Sequence, residues 1–204
     1  MLDKVENKFK IKGCFYENGN FKFRKYLNII KKKTNALTPD LMVIMMNPGS
    51  SSPIGNYNNI ETETIPDPTQ EQIMRIMEKC DFNFARVLNL SDLIESKSKN
   101  LYSKIDGLRR ENISHSIFEI NRESEFKMLF VKGIPVIYAW GVSKKLKKLA
   151  EKAMRQINEP NPIGLQKEGF EYAYYHPYPR GNGNKQKEWL EKVTLMINRV
   201  HNTI

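Results

Sequence analysis

Cysteine is almost absent. Cys14 and Cys80 are the only two in 204 residues, and no Cys-x-x-Cys pair exists from which a disulfide framework, a zinc site or an iron–sulfur site could be assembled. Two buried, reduced thiols are the expected state. Long apolar runs are missing as well: nothing approaches the roughly 20 residues of a membrane span. The opening MLDKVENKFKIK has no apolar core of signal-peptide length. These absences predict a soluble, cytoplasmic protein with no membrane partner. Internal repeats, low-complexity tracts and long linkers are also lacking, which excludes solenoid and disordered architectures.

What is abundant is positive charge. Lysine and arginine total 33 against 23 acidic residues, a net charge of +10. Such a field attracts a polyanion before any specific contact forms, so nucleic acid is the first partner to consider. A lysine-rich solvated surface gives the same charge, and the runs at 31–33 and 144–148 read as such surfaces.

The length suits one domain over residues 1–204. Asn18-Gly19 between two strand-like segments predicts an antiparallel hairpin over 12–31. LMVIMM (41–46), FARVLNL (84–90) and IPVIYAW (134–140) read as buried strands. Asp67-Pro68-Thr69-Gln70 has the residues of an N-cap, an N1 proline and a capping box, predicting a helix over about 68–80. A polar loop is expected at 50–66 and a polar stretch to about 112. A helix capped by Ser114 is expected to run towards Val131, and further helices to cover 143–157 and 185–200. The alternation predicts a three-layer α/β/α domain with a mostly parallel central sheet, preceded by the hairpin. In that fold ligands sit outside the carboxyl ends of the strands, where Asn47, Asn89 and His176 are expected.

At the first of these ends the turn Asn47-Pro48-Gly49 offers backbone N–H groups and one amide to a crevice, able to orient a water. It also reads as a simple turn. Asp67 is explained first by its capping role. His176 can donate a hydrogen bond from its ring, and it also reads as a loop histidine held between prolines. Arg180-Gly181-Asn182-Gly183-Asn184 reads as a cationic, glycine-rich loop that phosphates can approach.

Taken in order, these segments resemble the uracil-DNA glycosylase superfamily over about residues 38–200. LMVIMMNPGSSSPIGN resembles the first active-site motif of the mismatch-specific uracil and thymine branch, and ARVLNLSDL the strand that ends in a base-reading asparagine. VIYAWGVSKKLKKLAEKA resembles the strand-glycine-helix segment that follows. YAYYHPYPRGNGNKQKEW resembles the His-Pro-Ser-Pro motif, with Tyr178 in place of serine. The aspartate of the uracil-specific branch is absent, and Asn47 stands in its place. Asp67-Pro68-Thr69, Asn89-Leu90 and Trp140-Gly141 also resemble a family of uncharacterised bacterial and phage proteins, in which Asp67 would face the pocket.

The resemblance implies a monofunctional DNA glycosylase acting on a flipped uracil, mismatched thymine or 5-modified pyrimidine and leaving an abasic site. Asn47 would position the attacking water and His176 would stabilise the leaving base. Pro48, Gly49 and Asn89 would contact the base, with Asp67 as a further candidate. Ser50, Ser51, Tyr178, Arg180, Asn182 and Lys185 would lie against DNA. A monomer needing neither metal nor organic cofactor is implied. A non-catalytic nucleic-acid or nucleotide-binding protein on the same fold is the alternative.

Overall fold

The computed structural model describes residues 5–179 and 181–201. Two long strands open the chain, β1 (Phe9–Asn18) and β2 (Phe21–Lys31), joined at Asn18-Gly19 as the turn dipeptide predicts. Gly19 has φ +58° there, a conformation that disfavours side chains. Then follow β3 (Leu41–Met45), β4 (Asn58–Glu63), α1 (Pro68–Lys79), β5 (Phe84–Asn89), α2 (Ser98–Arg110), α3 (Glu123–Leu129), β6 (Val136–Tyr138), α4 (Lys147–Ile157) and α5 (Gly183–His201).

The six strands form one sheet in the order β4-β1-β2-β5-β3-β6. β3 is parallel to both β5 and β6, while β1 is antiparallel to β2 and β4, and β2 is antiparallel to β5. The expected mostly parallel sheet is therefore corrected to a mixed one in which antiparallel pairing predominates. The hairpin does not precede the sheet but forms part of its middle. The reason is visible in β2, which sends Phe23 to one core and Leu27 and Ile29 to the other. A strand apolar on both faces must be covered on both.

β3 divides its side chains in the same way. Met42 and Ile44 enter the core under α2, α3 and α4, whereas Leu41, Val43 and Met45 enter the core under α1 and α5. Burying each such side chain contributes roughly 1.5–3 kcal/mol, so this alternation fixes the strand register and the layering together. Helices cover both faces of the sheet.

Four local expectations are corrected. The 50–66 segment contains β4, an exposed edge strand whose polar alternation hid it. The polar stretch before 112 contains α2, which buries only Leu101, Ile105 and Leu108. No helix starts at Ser114; α3 begins at Glu123, after a short 3-10 turn. Residues 172–176 make only isolated bridges, Tyr174 to Gly141 and to Gln166, so His176 is not at a strand end. Cys14 is buried and Cys80 half-buried, both as free thiols, and burial pushes both thiols up from their ordinary value. Among the described residues no helix is long and apolar enough to cross a membrane, and no group of three or more histidine, cysteine or acidic residues could hold a metal.

Candidate functional site

A cavity of about 590 Å³ opens beyond the carboxyl ends of the two central parallel strands. Asn47, Pro48, Gly49 and Ser50 line it from the turn after β3. Asp67 lines it from the start of α1, and His176 and Tyr178 from the segment before α5. Met45 and Val87 supply apolar wall from β3 and β5.

Asn47 is held by its amide. Nδ2 donates to the carbonyl oxygens of Leu93 at 3.2 Å and Glu95 at 2.7 Å. Both N–H bonds are thereby used, which fixes the amide orientation and leaves Oδ1 as an acceptor. The loop after β5 is itself pinned, since the backbone N–H groups of Leu90 and Ser91 donate to Met45 and Met46. The asparagine is thus set by two strand ends.

Asp67 caps α1 as expected. Its Oδ1 accepts the backbone N–H groups of Thr69 and Gln70, each at 2.9 Å, and Gln70 returns its Oε1 to the Asp67 backbone N–H at 3.3 Å. This is a capping box with Pro68 in the first turn. Asp67 also lines the cavity.

His176 is placed by its surroundings. Nδ1 accepts the backbone N–H of Tyr178 at 3.1 Å, so the hydrogen of a neutral ring is on Nε2, a donor. Trp189 on α5 donates its indole N–H to the Tyr175 carbonyl at 3.1 Å, and Gln186 donates its side-chain amide to the Pro179 carbonyl at 3.1 Å. These bonds lay the 175–179 segment against α5.

Other expected residues are elsewhere. Asn89 is fully buried and does not line the cavity, although its ladder partner Met45 does. Neither of its amide atoms has a hydrogen-bond partner among the described residues. Ser51 is buried, which removes it from the DNA-facing set, whereas Ser50 is exposed. Asn182 accepts the Lys185 backbone N–H at 3.0 Å and so acts in the first turn of α5, with the Lys185 side chain in solvent. Arg180 lies outside the described residues.

Sequence reading missed Arg24, Gln70, Lys97 and Lys99, all at the cavity. Arg24 is 3% exposed, and its guanidinium forms no hydrogen bond among the described residues, Nε and Nη1 being wholly buried. Burial pushes it down to about 10, against the nearby Asp67 and Asp92 carboxylates, so it stays charged at neutral pH. The charge balance of the wall is positive. Glu95 is held by Lys104 at 2.6 Å, leaving Arg24, Lys97 and Lys99 against Asp67.

A wider depression of about 720 Å³ lies between α4 and residues 169–172. Its cations Lys144, Lys147 and Arg155 face Glu151 and Glu171, and none of its lining residues carries a buried polar atom without a partner. The smaller cavity is the better candidate, because unsatisfied buried polar groups in a native fold call for an explanation.

The family model described as "Protein of unknown function (DUF1643)" matches residues 28–178, well over half of the 204-residue chain. The chain belongs to the DUF1643 family. The match runs from β2 to the His-Pro segment, so the DUF1643 region contains Asn47, Asp67, His176 and Tyr178, while Arg24 precedes it. None of the curated proteins and none of the solved structures matches this chain.

Proposed function

We propose that this DUF1643 protein is a DNA glycosylase that hydrolyses the N-glycosidic bond of a flipped pyrimidine and leaves an abasic site. The observation that carries the reading is the fixed amide of Asn47. With both N–H bonds given to Leu93 and Glu95, Oδ1 is a pre-set acceptor at the cavity, suited to hold a water by one hydrogen and aim its oxygen at C1′. His176, whose Nδ1 accepts from Tyr178, carries its hydrogen on Nε2 and stabilises the carbonyl oxygen of the leaving base.

The substrate class follows from the wall. Gly49 presents no side chain, and nothing lies within 4 Å of where its Cβ would stand, so uracil, mismatched thymine and bulkier 5-modified pyrimidines all have room. The net charge of +10 supplies the attraction to DNA. The enzyme works in the cytoplasm as a monomer, without metal or organic cofactor. No lysine is assigned to attack C1′, so strand scission is not part of the reaction.

The test is a panel of duplex and single-stranded oligonucleotides carrying uracil, thymine mismatches or 5-modified cytosines. Strand breaks that form only after hot alkali, and that vanish in Asn47→Ala, support the reading. Binding to DNA without release of any base supports the second reading, a non-catalytic nucleic-acid-binding protein. That reading is favoured by one observation: Asn89, the expected base reader, is sealed from the cavity.

A further inference from the structure

Among the described residues Arg24 is a buried charge that the fold itself does not explain. It is 3% exposed, charged, and without a hydrogen-bond partner among the described residues, yet it is part of the cavity wall. Leaving a buried cation unpaired is costly, and folds retain such groups where a ligand completes them. Its backbone is firmly placed, with the Arg24 N–H donating to the Asp92 carbonyl at 2.8 Å. Arg24 lines the same cavity as Met45 and Val87, its apolar wall.

The two ends of the cavity differ. At the outer end Ser96, Lys97, Ser98 and Lys99 are exposed, and α2 begins there with the Lys97 backbone N–H donating to the Glu95 carboxylate at 2.9 Å and no N-cap side-chain bond to the N–H groups that follow. A phosphate is bound well by such a helix start with two lysines. Arg24, in contrast, is buried; it shares the cavity wall with Met45 and Val87 and has the Asp67 and Asp92 carboxylates as electrostatic neighbours. A phosphate dianion brought there would be repelled by both acids and would lose its water. A planar ring that presents carbonyl oxygens loses far less, and its faces suit Met45 and Val87.

We propose that Arg24 is a catalytic residue of the glycosylase reaction: its guanidinium receives the acceptor edge of the flipped base at the cavity floor, while the phosphate of that nucleotide rests at the start of α2. The inference rests on the function proposed above and assigns to Arg24 the edge contact first expected of Asn89. In the reaction the C1′–N bond breaks and its electron pair stays on the base. A water oxygen bonds to C1′, and the proton released from that water ends on the departed base. Negative charge collects on the carbonyl oxygens and ring nitrogen of the base as the bond lengthens. A fixed, desolvated guanidinium binds that charge more strongly than it binds the neutral ring, which is the condition for lowering the barrier.

The experiment compares wild type with Arg24→Gln and Arg24→Met. Single-turnover excision is measured on DNA containing uracil and on DNA containing 5-fluorouracil, a base that leaves more readily as an anion. Both variants are expected to lose about 10²–10³ in rate on uracil and distinctly less on 5-fluorouracil. Their melting temperatures should equal or exceed that of wild type, since a charge without a bonded partner has been removed. Equal rates, equal losses on both bases, or a large fall in melting temperature overturns the proposal. If wild type releases no base from any substrate, the glycosylase reading has failed and the catalytic role of Arg24 fails with it. Free uracil, free cytosine and inorganic phosphate are then titrated by ligand-observed NMR. Saturable binding of a free base that is lost in Arg24→Gln supports the base-edge contact independently of turnover. Arg24-dependent binding of phosphate alone, or no Arg24-dependent binding, overturns that contact too.

Discussion

The side-chain amide of Asn47 donates to the carbonyl oxygen of Glu95 at 2.7 Å. Its second hydrogen goes to Leu93, so one residue joins the end of β3 to the loop after β5. This relationship separates Asn47 from an aspartate in the same place. A carboxylate would set two acceptors against two carbonyl oxygens.

Asn47→Ala is therefore expected to lower turnover by orders of magnitude and also to cost about 1–3 kcal/mol of stability from the two lost hydrogen bonds. Asn47→Asp should destabilise more than Asn47→Ala, because it adds repulsion to the loss. Denaturant melts of the three proteins check the order. An Asn47→Asp protein as stable as wild type would show that the amide is not bonded as described.

Much of this arrangement was legible in the sequence because it rests on local rules. Asp67-Pro68-Thr69-Gln70 gave its capping box from four adjacent residues, and the turn after LMVIMM placed Asn47 correctly. The mixed sheet was not legible, because the partner of a strand depends on residues far away in sequence. β2 reads as half of a hairpin, and only its pairing with β5 makes it central. Arg24 escaped for the same reason. In FKFRKYLNII it looks like a polar residue on an alternating strand, and only the folded chain, which leaves it 3% exposed, makes it a buried charge. Asn89 shows the converse: its place at a strand end was right, yet its amide does not reach the cavity.

The second prediction concerns the support beneath the site. Asp92 is fully buried; Arg122 donates to its Oδ2 at 2.5 Å and Tyr16 donates to the same oxygen at 3.3 Å. Burial pushes the Asp92 carboxyl up to about 7 while Arg122 pulls it back. Arg122 in turn is driven upward by Asp92 against its own burial, and the short contact between them is that of an ion pair. Asp92→Asn leaves Arg122 with Glu125, at 2.7 Å, as its remaining counter-charge and should cost about 1–3 kcal/mol. The double variant Asp92→Asn with Arg122→Met should recover most of that loss. Urea denaturation of the four proteins decides it; a single substitution within about 0.5 kcal/mol of wild type, the usual range of neutral surface changes, would show the pair to be dispensable.

The third follows from His115, a buried histidine whose Nδ1 lies 3.0 Å from the Ser91 hydroxyl. Burial lowers it from its ordinary value of 6.5; Glu119 opposes the shift, and Arg109 and Lys152 reinforce it. A histidine lowered on folding contributes stability above its unfolded value, and that contribution is lost as the pH falls below about 6.5. Between about pH 7.5 and pH 5 the fall in melting temperature should therefore be smaller, or the gain larger, in His115→Gln than in wild type. Parallel losses in the two proteins would remove His115 as the cause.

The last concerns the breadth of substrate. Gly49 has φ +67° and open space where a Cβ would project, so a side chain there meets conformational strain but no neighbour. That strain is about 1–2 kcal/mol for most residues, and asparagine tolerates the conformation best. Gly49→Asn is thus the control that adds a side chain with little strain. In Gly49→Tyr an aromatic ring projects from the cavity wall, which is expected to occupy the space a 5-substituent would use. Excision of thymine and of larger 5-modified pyrimidines should fall by more than tenfold in Gly49→Tyr relative to uracil, a discrimination of the size that steric exclusion in a pocket provides. Gly49→Asn should keep most of its breadth. Competing excision of paired oligonucleotides in one tube measures the ratio directly. An unchanged ratio in Gly49→Tyr, with the protein still folded, would mean that the base does not enter beside residue 49.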